Sequence, residues 1–279
     1  MSDNYEEPRL PTEIQSYYEI FDEAQRLDQP DSQIEKLRTL ELLQRYLPPP
    51  PGVILDIGGG TGVYAFWLAD KGYQVHLVDG VPRHIEQAEE IARKRSGPPL
   101  TSLRVGDARY LEHSDNSADG ILLLGPLYHL TARSDRILAL REAYRILRSG
   151  GVMLASGINR FASTIVALQE DLINDAEFSA IYEQDLRYGQ HRNPTDNPDF
   201  FTTAFFHHPQ EMIDEIKEGG FRFEALLAIE GPARILKDFT DQWPRVEIQE
   251  KLLRITRLVE SESTLWGVSP HIMIIGRKG

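Results

Sequence analysis

Residues 53–72 read VILDIGGGTGVYAFWLADKG, and this stretch decides how the rest of the chain can fold. The mostly apolar run at 53–57 predicts a short buried strand, and the residues after Gly62 have the pattern of a helix. Glycines between a strand and a helix let backbone N–H groups approach a ligand closely and aim the positive end of the helix at it. The stretch therefore predicts a nucleotide-type site.

Strand and helix patterns alternate from this stretch onward. The predicted strands are 53–57, 74–79, 102–105, 119–124 and 151–156, and the predicted helices between them are 62–71, 82–95 and 132–148. Strict alternation predicts a doubly wound, mostly parallel α/β sheet, with any ligand beyond the carboxyl ends of the strands. After a helix at 208–218, a sixth strand at 221–231 and a seventh at 271–278 complete the sheet.

Segments outside the alternation predict a cover over one edge of the sheet. Residues 12–28 predict one amphipathic helix, with a second at 31–47 that is capped by Asp31 or Ser32. We expect one domain, 1–279, in which the N-terminal helix (1–30) is a lid. Helical and loop insertions at 159–203 and 232–270 are expected to lie over the active site.

Composition excludes several kinds of protein. The 279 residues carry a formal net charge of −13, which disfavours a general binder of nucleic acid. There is no cysteine, so disulfides, thiolate metal sites and a cysteine nucleophile are excluded. The first ten residues, MSDNYEEPRL, lack an apolar signal core, and no stretch approaches the roughly 20 apolar residues of a membrane span. We expect a cytoplasmic protein without a membrane partner.

The spacing of the glycines separates two kinds of nucleotide site. A dinucleotide fingerprint G-x-G-x-x-G beginning at Gly58 would need glycine or alanine where Val63 stands. Beginning at Gly60, it accepts Ala65 but leaves the preceding glycines without a task. The pattern present is D-x-G-x-G-x-G, over Asp56, Gly58, Gly60 and Gly62. It resembles motif I of the class I S-adenosylmethionine-dependent methyltransferases.

The resemblance continues at the ends of the next strands. Asp79 ends the second strand, where an acid can accept hydrogen bonds from both hydroxyls of a ribose, as an NAD enzyme would also require. In the family, an acid and a small residue after the third strand line the adenine pocket. Backbone after the fourth strand wraps the methionine part. The sixth and seventh strands, separated by an excursion, fit the family's final hairpin, in which the last strand of the seven-stranded sheet is reversed. The resemblance thus implies S-adenosylmethionine as cofactor, bound by Asp56, Gly58, Gly59, Gly60, Gly62, Asp79, Gly80, Asp107, Ala108, Leu124 and Gly125.

Asp56 has a second interpretation. In this alternative the carboxylate only hydrogen-bonds the amides of the glycine loop and fixes their shape, without touching the cofactor.

Methyl transfer needs acceptor and donor held within about 3–3.5 Å, water excluded and one proton managed, so neither a metal nor a covalent nucleophile is required. The catalytic candidates are His129, Tyr128 and Tyr18. The candidate substrate-binding residues are Tyr17, Arg160 and His207. Each has a structural alternative: the two tyrosines of the N-terminal helix could be packing residues, and His129 a hydrogen-bonded structural histidine.

The neighbouring His207 and His208 resemble metal ligands, but consecutive side chains of an extended segment point to opposite faces and no third ligand is evident. We expect no metal site. One of the two histidines should face the site, and the other should cap the following helix or face solvent.

Three classes of function remain. The first is a methyltransferase for a small molecule, acting on oxygen, nitrogen or carbon. The second is an RNA or protein methyltransferase, which a basic patch near Arg187 and Arg192 would favour. The third is an S-adenosylmethionine-binding enzyme that transfers no methyl group, or an NAD-linked enzyme.

Overall fold

A seven-stranded sheet forms the centre of the computed structural model, which describes residues 10–21, 23–195 and 197–279. The strands are β1 (Val53–Ile57), β2 (Gln74–Asp79), β3 (Ser102–Val105), β4 (Ala118–Leu123), β5 (Leu147–Ile158), β6 (Gln190–His191), β7 (Ala204–Phe205), β8 (Arg222–Ala228) and β9 (His271–Arg277). The sheet order is β3-β2-β1-β4-β5-β9-β8. Strands β1 to β5 pair in parallel, and β9 runs antiparallel to both β5 and β8. The predicted fold class, with its reversed last strand, is confirmed.

Helices cover both faces of the sheet. They are α1 (Thr12–Ile20), α2 (Glu23–Arg26), α3 (Gln33–Tyr46), α4 (Val63–Asp70), α5 (Pro82–Lys94), α6 (Pro126–His129), α7 (Arg133–Ile146), α8 (Ala162–Gln169), α9 (Ala176–Tyr188), α10 (Pro209–Glu218), α11 (Phe239–Gln242) and α12 (Val246–Val259). Short 3-10 turns lie at Leu172–Asn174, Pro198–Phe200, Gly231–Ile235 and Ser263–Val268. None of these described helices has the length and apolar character needed to cross a membrane.

Alternate residues of the central strands build two apolar layers. In β1, Leu55 and Ile57 enter one cluster while Ile54 enters the other. The same alternation places Ile274 and Ile275 of β9 on opposite faces. Side chains of a strand alternate with a period of two, and both faces of a parallel sheet are covered by helices, so such strands are apolar throughout.

The register of the parallel strands brings three loop starts together. Ile57 of β1 pairs with Val78 of β2 and with Leu123 of β4. The residues that follow these strands therefore leave the sheet at the same edge, which is where ligands bind in doubly wound sheets.

The N-terminal segment differs from the single predicted helix. Phe21 has an extended backbone (φ −75°, ψ 128°), so α1 ends at Ile20 and a short α2 follows. The ring of Phe21 stacks on that of Tyr17, with centroids 5.1 Å apart. Ser32 is the N-cap residue of α3, as one of the two predicted positions, although its side chain makes no cap hydrogen bond.

Two further boundaries differ. Strand β5 begins at Leu147 rather than 151, because its first residue pairs with Ala118 before a register shift. The predicted insertion at 159–203 contains β6, which forms a two-residue antiparallel ladder with β7. Ladders this short carry no alternation that a sequence pattern could detect.

The second insertion packs on the N-terminal half of the chain. Trp243 is fully buried in a cluster with Ile34 and Phe239, and its Nε1 donates to Gln33 Oε1 at 2.9 Å. Trp243 thus packs this insertion against α3.

A buried ion pair ties α7 to α10. The guanidinium of Arg136, 2% exposed, donates to both carboxylate oxygens of Glu215 at 2.7–3.1 Å. Its Nη1 also donates to the carbonyl oxygens of Leu130 and Thr131, and its Cζ lies 3.6 Å from the centre of the Phe205 ring. One side chain therefore fixes the turn that follows α6.

Arg136→Met should remove about 3–5 kcal/mol from the free energy of unfolding, because it leaves the Glu215 carboxylate buried without its main partner. Arg133→Met is the matched control, since Arg133 is 54% exposed and should change stability by no more than about 0.5 kcal/mol. Denaturant unfolding measures both. Equal losses in the two variants would contradict the assignment.

Candidate cofactor and acceptor site

A cavity opens at the edge where β1, β2 and β4 end, and the N-terminal segment closes one side of it. The predicted residues on its wall are Gly58, Gly59, Gly60, Asp79, Gly80, Asp107, Ala108, Leu124, Gly125, Tyr18, Tyr128 and His129. The other predicted residues are off the wall as far as the structure describes it: Asp56, Gly62, Tyr17, Arg160 and His207. No described residue of 159–203 or 232–270 is on the wall either.

Glycine is required where two loops meet at the cavity. A Cβ on Gly58 would lie 2.5 Å from Cδ of Pro126, and one on Gly125 would lie 2.9 Å from the carbonyl oxygen of Gly58. Gly58 and Gly60 also have φ of +69° and +58°, which L side chains rarely adopt. The bare backbone at the end of β1 thus permits both the close approach and the turn.

Asp56 lies beneath the glycine loop rather than in the cavity. It is fully buried, and a Cβ on Gly59 would approach its carboxyl group to 2.6 Å. Burial, with a smaller effect from the charge of Asp79, raises the pKa of Asp56 to about 7. Neither carboxylate oxygen has a described glycine-loop amide in hydrogen-bonding position, so Asp56 lies against the loop without the predicted hydrogen bonds to the loop amides.

Asp79 is held in a fixed orientation at the end of β2. Its Oδ2 accepts from the N–H of Gly60 at 2.8 Å, and its Oδ1 accepts from the N–H of Val81 at 2.8 Å. His84 Nδ1 lies 3.1 Å from the same Oδ1. Because each carboxylate oxygen has two lone pairs and Oδ2 accepts only one of these bonds, Oδ2 keeps acceptor capacity for a ligand's hydroxyl group.

The wall continues through β3 and β4. Asp107 accepts from Arg109 Nε and Nη2 at 2.9 and 2.7 Å, so its carboxylate is oriented by a forked guanidinium. The carbonyl oxygen of Leu124 accepts from Ser156 Oγ at 2.7 Å, which fixes the backbone just before Gly125.

Tyr18 and His129 form a buried pair across the cavity. The hydroxyl of Tyr18 lies 2.8 Å from His129 Nε2, and the rings are edge-to-face with centroids 5.4 Å apart. Burial lowers the pKa of His129 to about 4, so the imidazole is neutral near pH 7. A neutral ring can accept the Tyr18 proton at Nε2.

Aromatic rings surround this pair. The ring centroid of His129 lies 4.7 Å from that of Tyr128 and 6.0 Å from that of Phe201. Phe201 has φ of +66°, an uncommon value for a bulky residue. Tyr17 packs between Phe21 and Phe201 at centroid distances of 5.1 and 5.5 Å, as its structural interpretation expects.

The remaining candidates, Arg160 and His207, lie beside the end of β5 and make structural contacts. Arg160 Nε donates to the carbonyl oxygen of Phe206 at 2.8 Å, and its Nη2 donates to Glu211 at 2.5 Å. His207 is fully buried with its Nε2 3.3 Å from Glu215. His208 caps α10 by accepting from the N–H of Gln210, which confirms that one of the two histidines is a helix cap.

Sequence reasoning missed a guanidinium on the cavity wall. Arg26 of α2 lines the cavity together with Glu23, and it donates to Glu23 at 2.8 Å and to both oxygens of Glu35 at 2.7 and 3.1 Å. Although burial opposes ionisation, Arg26 lowers the pKa of Glu35 to about 2. The helix break at Phe21 turns α2 toward α3, and no local pattern announces such a break.

The same network extends to β9. Carboxylate oxygens of Glu35 and Glu230 and a ring nitrogen of His271 lie within 4.8 Å of one another, a spacing that would suit a metal ion. Arg26 already neutralises Glu35 there, and His271 Nδ1 lies 2.5 Å from Glu230. Despite the opposing effect of burial, the charges of Glu230 and Glu35 raise the pKa of His271. Arg26, together with His271 when that ring is protonated, thus balances these carboxylates.

Comparison with known proteins agrees with this geometry. The model of a family described as "Methyltransferase domain" matches residues 54–151, which include the glycine loop, Asp79, Asp107 and Gly125. Residues 54–151 are a methyltransferase domain. The resemblance to the class I S-adenosylmethionine-dependent methyltransferases is thereby confirmed, and S-adenosylmethionine is the cofactor that the family implies.

Curated methyltransferases match part of the chain. A glycine/sarcosine N-methyltransferase of Parasynechococcus marenigrum is 32% identical over 103 residues, which is 36% of this chain and 36% of that protein. The chain thus matches about a third of that relative's length.

Solved structures share the fold over most of the chain. A structure described as a SAM-dependent methyltransferase from Methanosarcina mazei matches with a TM-score of 0.59 at 18% identity, over 85% of this chain and 96% of that one. A [4+2]-cyclase matches with a TM-score of 0.54 at 16% identity, over 88% and 80% of the two chains. At these identities the likeness concerns the fold.

Gly60→Ala should abolish detectable binding of S-adenosylhomocysteine, because it forces a side chain into a positive-φ position on the wall of the methyltransferase domain. Gly150→Ala is the matched control: its φ is +78° and nothing lies within 4 Å of its added Cβ. Titration calorimetry of both variants separates the two effects. Normal binding by Gly60→Ala would place the cradle elsewhere.

Asp56→Asn should flatten the pH dependence of stability. A carboxyl whose folded pKa lies above its unfolded value destabilises the protein increasingly as the pH rises through that interval, here from about 4 to 7. Relative to wild type, the variant should gain about 2 kcal/mol in unfolding free energy between pH 5 and pH 8. The exposed Asp115→Asn variant should show no such gain. Parallel curves for wild type and Asp56→Asn would contradict the burial effect.

Proposed function

We propose that this protein is an S-adenosylmethionine-dependent methyltransferase that acts on a small-molecule acceptor. The observation that carries the proposal is the single cavity whose wall joins the glycine loop, the oriented Asp79 carboxylate and the buried Tyr18–His129 pair. The first two features suit a nucleoside ligand, and the third lies where an acceptor would meet it.

The residues on the wall fit this cofactor. S-adenosylmethionine supplies a methyl group activated by a positively charged sulfur. Asp79 would accept a hydrogen bond from a ribose hydroxyl at Oδ2, and Asp107 with Ala108 would border the adenine. Gly58 to Gly60 and the Leu124–Gly125 backbone let the ligand approach main-chain atoms closely.

Arg26 and Glu23 complement the amino-acid end of the cofactor. The three bonds that Arg26 makes to Glu23 and Glu35 leave N–H groups of its five-donor guanidinium for a carboxylate. Glu23, on the same wall, offers an acceptor to an ammonium group. A cation and an anion three residues apart on one helix thus match a zwitterion.

Tyr18 and His129 orient the acceptor. If the Tyr18 hydroxyl donates to His129 Nε2, its oxygen keeps lone pairs that accept a proton-bearing group of the acceptor. A base with a pKa of about 4 is poorly matched to an aliphatic alcohol or an ammonium ion near pH 7. The pair therefore positions an acceptor that binds already in its nucleophilic form, and any proton that the methylated product must lose passes to solvent after release.

A small molecule suits the site better than a nucleic acid. Arg187 pairs with Glu183 at 3.0 Å, and Arg192 donates to Gln190 and to the carbonyl oxygen of His191, both at 2.8 Å. These two residues therefore form no free basic patch. The net charge of −13 and a relative named for glycine and sarcosine support the same acceptor class.

The second candidate is an enzyme that holds S-adenosylmethionine without transferring its methyl group. This candidate is retained because the [4+2]-cyclase, whose name describes no methyl transfer, has the same fold. Incubating the protein with methyl-labelled S-adenosylmethionine and a panel of amines, phenols and carbon acids separates the candidates. Labelled product with release of S-adenosylhomocysteine supports methyl transfer, whereas saturable binding without transfer to any acceptor supports the alternative.

Tyr18→Phe and His129→Gln should each lower kcat about tenfold while leaving cofactor affinity within about twofold, because each removes one partner of a buried hydrogen bond. The double variant should lose no more than either single one, since the two residues act as a pair. The pH profile of His129→Gln should run parallel to wild type between pH 6 and 9. His208→Gln, at a helix cap, is the control.

Measurement of kcat, KM and cofactor affinity for the four variants tests this assignment. Full activity of His129→Gln, or multiplicative losses in the double variant, would contradict it.

A further inference from the structure

His84 joins the two halves of the site, although neither the glycine motif nor the family match singles it out. It is the third residue of α5 and is 3% exposed. Its Nδ1 lies 3.1 Å from Asp79 Oδ1, and its ring meets the Tyr18 ring edge-to-face with centroids 5.0 Å apart. One side chain thus contacts the ribose-binding carboxylate and the N-terminal helix.

The hydrogen bond to Asp79 assigns the proton on the ring. A carboxylate can only accept, so Nδ1 carries the proton that is shared with Asp79. Nε2 is buried, and no described group lies in hydrogen-bonding position to it. His84 therefore has one polar tie, to Asp79, and its other contacts are those of an aromatic ring.

A continuous row of buried side chains results. Asp79, His84, Tyr18 and His129 follow one another from the end of β2 to the end of β4 through hydrogen bonds and ring contacts. The row crosses α1, whose buried Ile14 and Tyr18 pack on Val81 beside Asp79. The N-terminal helix thus packs on the turn after β2 that carries Asp79, the proposed ribose-binding residue.

Leu10 adds a second contact of the same kind. A Cβ on Gly80 would lie 2.7 Å from Leu10 Cδ1, so the segment before α1 lies directly against the residue that follows Asp79. It lines both the cavity and the open cleft beside it.

We propose that His84 is a positioning residue that couples the Asp79 carboxylate to α1, so that cofactor binding and docking of the N-terminal helix strengthen each other. The proposal rests on the proposed function, because it takes Asp79 to be the ribose ligand. Docked α1 holds the His84 ring, and the ring holds the carboxylate in the orientation that a ribose needs. Such coupling is reciprocal: the factor by which docking raises affinity is the factor by which the ligand favours docking.

Two substitutions separate the two contacts. His84→Phe keeps a ring against Tyr18 but has no donor for Asp79. His84→Asn keeps a donor near the position of Nδ1 but has no ring. Glu86→Gln, exposed on the same helix, is the control.

The full-length variants are titrated with S-adenosylhomocysteine, and hydrogen exchange of peptides covering residues 12–20 is followed with and without it. Thermal unfolding establishes that each variant is folded. His84→Phe should bind about tenfold more weakly, from loss of a hydrogen bond to a charged group, with ligand-free exchange at α1 unchanged. His84→Asn should show faster exchange at α1 without ligand and a smaller loss of affinity. In both, the ligand should slow exchange at α1 less than in wild type.

Wild-type affinity in both variants, or weakened affinity with undiminished slowing of exchange at α1, overturns the coupling alone. A wild-type protein that does not bind S-adenosylhomocysteine overturns both the coupling and the proposed function.

Discussion

The site depends on the close approach of two glycine-bearing loops at one edge of a parallel sheet. Gly58 follows β1 and Gly125 follows β4, and a side chain on either would overlap the opposite loop, at 2.5 and 2.9 Å. The register of β1 with β2 and β4 sets this meeting point. With these loops in place, Asp79 at the end of β2 accepts a hydrogen bond from the N–H of Gly60 and faces the same cavity.

The second constraint is electrostatic. Buried ionisable groups surround the cavity, and their surroundings affect the ionisation of each group differently. Asp56 lacks a cationic partner and has a raised pKa, and His129 is kept neutral by burial. Arg26 instead retains its charge between Glu23 and Glu35. Carboxylates and a guanidinium therefore remain available near a ligand that carries both charges, while the pair nearest the acceptor stays neutral.

Local patterns in the sequence determined the sheet and the cofactor side of the site. Apolar runs predicted the positions of the strands, and the glycine spacing with Asp79 predicted the loop, because both are short-range features of a strand and the turn after it. Arg26 and His84 were missed since their roles depend on contacts across the fold, with Glu35 and Tyr18. The chemistry of Arg160 and His207 suits a substrate site, but Arg160 pairs with Glu211 and His207 with Glu215, away from the cavity wall. No local pattern predicts these partners.

The central claim is that this cavity holds S-adenosylmethionine rather than a dinucleotide. Titration calorimetry of the full-length protein with S-adenosylhomocysteine and, separately, with NAD tests it most directly. The account predicts saturable binding of S-adenosylhomocysteine that weakens about 10- to 150-fold in Asp79→Ala, from loss of hydrogen bonds to a charged group, and no binding of NAD. Binding of NAD without S-adenosylhomocysteine, or unchanged affinity in a folded Asp79→Ala variant, would contradict it.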